Sequence, residues 1–437
     1  MSSKYTITTL GECRIDSPLH LSRVRGDRVV NYVGEGERVL EEIYLQNWLD
    51  NTAAGRTPLS FEKAGPRAKL FFSPPDCTAA IVTCGGLCPG INDVIRALVM
   101  GLHYNYGVKK ILGVRYGYAG FIPRYHHPPR HLTPDQVKNI HFQGGTILGS
   151  SRGRQDVSKI VDTLADWKVN LLFCVGGDGT LRGAKEITAE IGRRRLKIAV
   201  AGIPKTIDND IGLTDRSFGF ETAFSTANRI IQNAHNEAAG AFNGIALIKL
   251  MGRDSGYIAV NSTLAVQEVN LVLIPEMEFD LDGPRGFLEV LKRRLAAKQH
   301  AVVVVSEGAG QFLFPGGKVH HGNDPYQDIG LFLKEKISQY FSAQDFPFTL
   351  KYIDPSYIIR SVPANASDSK FCALLAQNAV HGALAGKTGF MIAARHQEFV
   401  YVPLGPAVRS RKRIDLESEL WLNVLESTGQ PLSMKND

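Results

Sequence analysis

The chain of 437 residues is 44% hydrophobic, 21% charged and 9% aromatic, which excludes disorder as its main character and, at roughly 150 residues per domain, suits about two or three domains. Fifty Lys and Arg against 43 Asp and Glu leave a formal charge of +7, with a pI near 9.0, so the surface tolerates polyanionic partners. Phosphorylated small molecules satisfy that balance as readily as nucleic acid does.

The first 75 residues carry an amphipathic helical pattern over 37–51, then a stretch punctuated by Pro58, Pro66, Pro74 and Pro75. They are expected to form an extension before the main body. From Thr78 onward, short β-branched apolar runs alternate with glycine turns and longer helical patterns, the texture of a parallel sheet with crossover helices. Strands are predicted over 79–83, 111–114, 169–175, 197–202, 244–250, 271–275, 301–306 and 390–394. Helices are predicted over 92–106, 181–192, 221–237, 284–298 and 367–385, so the fold class is α/β.

Six cysteines are too few for a disulfide scaffold and suit a reducing, cytoplasmic compartment. Cys84 and Cys88 have the spacing of a metal half-site, but no second pair follows, and they read as packing residues. No apolar run approaches the ~20 residues a bilayer requires, and Asp16, Asp27 and Glu35 interrupt the N-terminus, so no membrane partner is expected. Basic clusters at 193–195, 292–294 and 409–413 lack interleaved aromatics and read as solvated faces, giving no nucleic-acid partner. His126, His127 and His131 read as surface histidines of a proline-rich loop.

Where a strand ends in glycines and a helix begins, backbone N–H groups and the helix N-terminus converge into an anion site. The chain does this at Thr83-Cys84-Gly85-Gly86-Leu87-Cys88-Pro89-Gly90 and again at Gly176-Gly177-Asp178-Gly179-Thr180. A carboxylate beside a phosphate cradle repels its ligand unless a cation lies between, so Asp178 points to Mg²⁺. A third strand exit, Gly202-Ile203-Pro204-Lys205-Thr206-Ile207-Asp208-Asn209-Asp210, carries two carboxylates at i and i+2. They suit a general base and a partner that orients it, or else they cap a following helix or form Asx-turns. Lys205 and Thr206 could grip a moving phosphoryl group. Arg253 in Met251-Gly252-Arg253, and Glu307 past the next apolar run, suit a phosphate and a hydroxyl respectively, or a surface ion pair each. Arg152 and Arg154 follow Gly144-Gly145-Thr146-Ile147-Leu148-Gly149-Ser150-Ser151 and could stabilise charge on a transferring phosphate.

Together these residues resemble the 6-phosphofructokinase family, in family order from Cys84 to Arg360, over about three-quarters of the chain. Lys249-Leu250-Met251-Gly252-Arg253-Asp254-Ser255-Gly256, Tyr352-Ile353-Asp354-Pro355-Ser356-Tyr357-Ile358-Ile359-Arg360 and the tail over 421–431 look most like the long branch of plants, trypanosomatids and some bacteria. The resemblance implies two Rossmann-like α/β domains with parallel-rich sheets and an active-site cleft between them. It gives a phosphoryl-donor domain over 76–219 and 360–408, and a sugar-phosphate domain with tail over 220–359 and 409–437. The implied reaction is transfer of the γ-phosphoryl group of ATP to the 1-hydroxyl of fructose 6-phosphate in glycolysis, with Mg²⁺. Asp208 is the implied base, Asp178 the Mg²⁺ carboxylate, Thr206 a substrate or phosphoryl contact, and Gly85 and Arg152 contacts to the transferring phosphate. Gly177, Gly179, Thr180 and Lys205 line the donor site. Asp210, Met251, Gly252, Arg253, Glu307, Lys351, Tyr357 and Arg360 match the sugar-phosphate site.

Tyr357 stands where bacterial relatives have histidine. Lys351 replaces an arginine that reaches a neighbouring subunit's site, and no arginine appears near Asn243, where a second is expected. In the family, glycine at the Gly179 position leaves room for the ATP α-phosphate, whereas Lys205 is usual in pyrophosphate-dependent members. ATP is the donor expected; a pyrophosphate-dependent enzyme and a silent regulatory subunit are the alternatives. The resemblance also implies a cytoplasmic allosteric enzyme assembled as a homotetramer, or a dimer.

Overall fold

All six residues are buried in each of the strands Thr78–Thr83, Leu171–Gly176 and Ala199–Pro204. Continuous apolar runs of this kind belong to parallel strands covered on both faces, which is why they read as unbroken runs rather than alternations. The computed structural model describes residues 3–314 and 326–436. Residues 1–2 and 437, the ends of the predicted extension and tail, lie outside the described residues.

The chain divides into two compact units, the first comprising Met1–Thr206, Ile211–Gly219 and Ser361–Ser410. Its nine-stranded sheet runs Arg38–Leu40, Ser60–Lys63, Glu398–Pro403, Phe390–Arg395, Ala199–Pro204, Leu171–Gly176, Thr78–Thr83, Lys110–Val114 and Arg130–His131. The five strands from Phe390–Arg395 to Lys110–Val114 are parallel, with Ile81 beside Phe173 and Phe173 beside Ala201. Ala80, Val82, Leu172, Cys174 and Val200 share one core with Leu181, Ala184 and Ile187 of the helix Asp178–Arg193. The alternation of strand side chains sends their neighbours to the other face, where the helix Ala366–Leu384 packs on the strand Ala199–Pro204.

The helix predicted over 37–51 is a strand followed by a shorter helix. Arg38–Leu40 pairs antiparallel with Ser60–Lys63, Val39 opposite Phe61, and Phe61 is fully buried. The Glu42 carboxylate accepts from the N–H groups of Ile43 and Tyr44, a local turn that delays the helix to Leu45–Ala53. Nor do the first 75 residues stand apart from this unit. Ser60–Lys63 pairs with Glu398–Pro403, and Thr8–Thr9 pairs with Lys387–Thr388. The buried cations Arg67 and Lys387 share Glu62, at 2.8 and 2.6 Å, and both reach Glu35 at 3.1 Å.

The second unit comprises Ile207–Asp210, Phe220–Arg360 and Arg411–Asp437. Its four strands are all parallel, in the order Leu271–Leu273, His300–Ser306, Gly244–Leu250 and Thr349–Ile353. The helix Phe220–Ala239 packs on Gly244–Leu250 and His300–Ser306, and the helix Glu419–Thr428 on Tyr257–Val266. The Gln430 side chain accepts from the N–H of Val272, which ties the tail to the sheet. Among the described residues no helix is long and apolar enough to cross a membrane.

Candidate active site

In the first unit, Thr78–Thr83, Leu171–Gly176 and Ala199–Pro204 are neighbours, so the three glycine-bearing exits emerge side by side. The chain leaves Thr78–Thr83 for Lys110–Val114 on one side and returns to Leu171–Gly176 on the other; such a switch point is where parallel sheets bind ligands. Gly85 lies at φ +88, in the left-handed region, and a Cβ there would stand 3.1 Å from Lys205 Nζ. Lys205 is buried, and its ammonium donates to the Gly86 carbonyl at 2.6 Å. Its backbone N–H donates to the Gly176 carbonyl, so it joins the two glycine loops.

The helix Asp178–Arg193 starts directly after Gly177, which puts Asp178 and Gly179 in its first turn, whose N–H groups have no acceptor within the helix. Gly179 is exposed, and a Cβ there would meet nothing within 4 Å. Thr180 is buried, its carbonyl taking a hydrogen bond from the Tyr118 hydroxyl. Asp178 pairs with Arg182 at 2.9 Å one turn along. Among the described residues no three His, Cys, Asp or Glu side chains are grouped to hold a metal. Asp178 offers one carboxylate, so a hard cation such as Mg²⁺ held there would draw its remaining ligands from phosphates and water.

The loop carrying Arg152 is fastened to the same exits. Asn92 accepts from the N–H of Ile147 and donates to the Gln143 carbonyl, both at 3.0 Å. The Thr83 hydroxyl donates to the Gly149 carbonyl, and the Gly85 N–H donates to the carbonyl of Ser151. Arg152 itself is exposed next to this junction. Arg154, read with Arg152 as able to face a transferring phosphate, instead pairs its guanidinium with Glu186 at 2.9 Å.

Thr206 closes the first unit's share, its carbonyl taking the Ser217 hydroxyl, and Ile207–Asp210 falls to the second. Asn209 sits at φ +52, a left-handed turn that asparagine tolerates, between the two aspartates. The next helix begins only at Phe220, so neither carboxylate caps one. The fully buried Ser255 hydroxyl donates to the Asp208 carbonyl at 2.8 Å.

Met251, Gly252 and Arg253 leave the central strand of the second sheet, and Glu307 leaves its neighbour. The Glu307 N–H donates to the Leu250 carbonyl and that of Gly308 to Gly252, which fixes the two exits together. Gly252 has φ +133, and a Cβ there would stand 2.6 Å from the Ser255 carbonyl, so no other residue fits. Arg253 lies 4.6 Å over the Tyr326 ring. Arg360 lies 4.9 Å over the Tyr357 ring, and its Nε is buried with no hydrogen-bond partner among the described residues. Tyr357 is 75% exposed. Lys351 is exposed on the edge strand, beside Ala246 in register.

Burial pushes the Asp208 carboxyl well above its ordinary range; Asp210 and then Glu307 add to this, while Arg411 and Arg253 oppose it. Glu307 is also raised by burial, against the pull of Arg253, Lys249 and Arg360. Arg411 is the residue that composition misplaced. It belongs to a basic cluster read as a solvated face, yet it pairs with Asp210 at 3.7 Å and with Asp254. Nothing in its local pattern distinguishes it from Arg409 or Arg413.

Residues 78–383 match the sequence model of the family described as Phosphofructokinase. The ATP-dependent 6-phosphofructokinase of Borreliella burgdorferi is 48% identical to this chain, across 99% of it and 98% of the relative. ATP-dependent 6-phosphofructokinase 1 of Arabidopsis thaliana is 48% identical, across 86% of this chain and 80% of the plant protein. Among solved structures, the pyrophosphate-dependent phosphofructokinase of Marinobacter aquaeolei aligns with a TM-score of 0.67 at 21% identity, over 80% of this chain and 91% of that one. At that identity the likeness is one of fold.

Proposed function

The chain belongs to the phosphofructokinase family, and on that premise we propose that it is an ATP-dependent 6-phosphofructokinase, making fructose 1,6-bisphosphate and ADP from fructose 6-phosphate and ATP in glycolysis. The observation that carries the choice of donor is the open space beside Gly179 in the first turn of its helix. A nucleotide needs room there for its α-phosphate and what lies beyond.

In this reading Asp208 accepts the proton of the sugar 1-hydroxyl while the oxygen attacks the γ-phosphorus and the bond to the ADP oxygen breaks. Its raised proton affinity brings it nearer the operating pH, where a general base works best. Asp210 steadies the loop, and Arg152, Thr206 and the glycine-loop amides at Gly85 and Gly177 face the charge that develops on the moving group. Asp178 would hold Mg²⁺, which supplies charge neutralisation of the donor phosphates when bound. Lys205, joined to both glycine loops, puts its ammonium beside Gly85 and Gly86, where it would face the donor phosphates.

The sugar phosphate is assigned to Met251, Gly252, Arg253, Glu307, Tyr357 and Arg360. A buried guanidinium N–H without an acceptor is costly, and an anionic ligand relieves it; Arg360 Nε supports the assignment on that ground. Lys351 is carried as a contact to a neighbouring subunit in a homotetramer. The first unit would then be the nucleotide domain and the second the sugar-phosphate domain of a cytoplasmic enzyme.

Lys205 favours a second reading, with pyrophosphate as donor. Product formation measured in parallel with ATP and with pyrophosphate separates the two: turnover with pyrophosphate alone overturns the ATP reading, and silence with both overturns both.

A further inference from the structure

Residues 411–414 return to the second unit as a short strap, and four hydrogen bonds fix it. The N–H of Lys412 donates to the Asp210 carbonyl at 2.8 Å, and Arg413 Nε to the Asp254 carbonyl at 3.1 Å. The Tyr257 hydroxyl donates to the Arg413 carbonyl, and the N–H of Ile414 to the Glu276 carboxylate, which also takes the N–H of Gly256. The strap therefore binds the loop of Asp208 and Asp210 to the loop that follows Met251, Gly252 and Arg253. Its first residue places a guanidinium between the carboxylates of Asp210 and Asp254.

We propose that Arg411 is a positioning residue for phosphoryl transfer, holding the carboxylate of Asp210, and through it the base Asp208, in a fixed place and charge state; this rests on the kinase reading above. Among the described residues of its unit, the carboxylates of Asp210 and Glu307 and the guanidinium groups of Arg253 and Arg411 act on Asp208, and the Ser255 hydroxyl donates to its carbonyl. Two like charges beside a buried carboxylate drive it toward protonation and push the loop apart. Of the two cations, Arg253 is assigned to the sugar phosphate, whose negative charge takes up its own once substrate is bound. Arg411 is then the counter-charge that stays with the acids during the reaction. One Arg411 nitrogen, Nη1, faces both Asp210 and Asp254, and a guanidinium keeps its charge at any working pH.

The test uses the full chain with Arg411→Gln, Arg411→Lys and Lys412→Ala, assayed for fructose 1,6-bisphosphate formation from ATP over a range of pH, with melting temperatures recorded. Arg411→Gln is expected to lower kcat by about 10- to 100-fold, less than the roughly 10²- to 10⁴-fold worth of the base it positions, with KM for fructose 6-phosphate changed less than kcat. The acid limb of its kcat profile is expected to move to higher pH, because Asp208 loses a cation that favours its charged form. Arg411→Lys should restore part of the rate and bring the limb part of the way back, and Lys412→Ala, which keeps the backbone bond, should match wild type. If Arg411→Gln proves insoluble, Arg411→Lys alone still reads the limb. An unmoved acid limb in a folded Arg411 variant, or an unchanged kcat, overturns the proposal. An inactive wild-type enzyme overturns the kinase reading and the proposal with it, whereas an active wild type beside unaffected Arg411 variants overturns the proposal alone.

Discussion

Lys249 Nζ lies 2.9 Å from the carboxylate of Asp354, and the same ammonium lies 2.7 Å from Asp328. Lys249 sits near the end of the central strand of the second sheet and is almost fully covered. Asp328 caps the helix Ile329–Ser342, and Asp354 opens the turn into Ser356–Ser361, the short helix of Tyr357 and Arg360. Replacing Lys249 by Met keeps the packing and leaves two carboxylates facing each other. Both can still hydrate, so the loss of stability is expected at about 1–3 kcal/mol rather than the larger figure for a sealed pair. Urea unfolding measures it, and KM for fructose 6-phosphate should rise as the turn loosens; an unchanged KM would detach the turn from sugar binding.

Asp208→Ser should lower kcat by about 10²- to 10⁴-fold, the usual worth of a general base, while isothermal titration still detects fructose 6-phosphate. Stability responds the other way. Because the folded protein holds the Asp208 proton above the ordinary carboxyl value of 3.8, it binds more protons than the unfolded chain from there upward. Stability contributed at this site therefore falls as pH rises. Asp208→Asn removes that loss and should melt at a higher temperature than wild type at pH 7.5, the gap closing as pH falls toward 4.

Gly179→Asp puts a side chain into open space at a helix N-terminus, where a carboxylate is favourable, so the variant should fold with unaltered melting temperature. The same carboxylate meets the donor's phosphates. Like charges brought together cost several kcal/mol, so kcat/KM for ATP should fall by about 100-fold or more. Steady-state kinetics with ATP decides it, and undiminished turnover would move the α-phosphate away from Gly179.

Burial pushes the His381 imidazole down to about 4, with Arg67 adding to the effect, and its Nδ1 lies 2.6 Å from the Tyr106 hydroxyl. The unfolded chain takes up a proton near 6.5 that the folded one refuses. The stability this site contributes is thus complete above about pH 6.5 and is lost as pH falls toward 4. His381→Gln should begin about 1 kcal/mol lower at pH 7 and lose less between pH 7 and 5, as thermal melts across that range will read.

The sheet and the glycine exits were legible because their signals are local: apolar runs such as Leu171–Gly176 end in glycines that a turn requires. The helix predicted over 37–51 failed where a distant partner intervened. Val39 finds Phe61 on the neighbouring strand, and no pattern within 37–51 records that encounter. Thr349–Ile353 is a half-exposed edge strand with Lys351 at its centre, so it lacks the continuous apolar run by which its neighbours were found. Asp208 and Asp210 stood out as an i, i+2 pair beside a strand exit, whereas Arg411 reaches them from the far end of the chain and carries no mark of its destination.

The contact between Lys387 and Glu35 spans 352 residues of chain. A growing polypeptide cannot form it, nor the pairing of Ser60–Lys63 with Glu398–Pro403, until most of the protein has left the ribosome. The N-terminal pair Arg38–Leu40 and Ser60–Lys63 can form early, but its outer edge at Ser60–Lys63 must wait for Glu398–Pro403 until nearly the whole chain is made. Closing a loop of that length is entropically slow. Completion of the first unit is accordingly the late event in its biogenesis, and the interval before it is when exposed strand edges leave the nascent chain most open to misassociation and most dependent on chaperones.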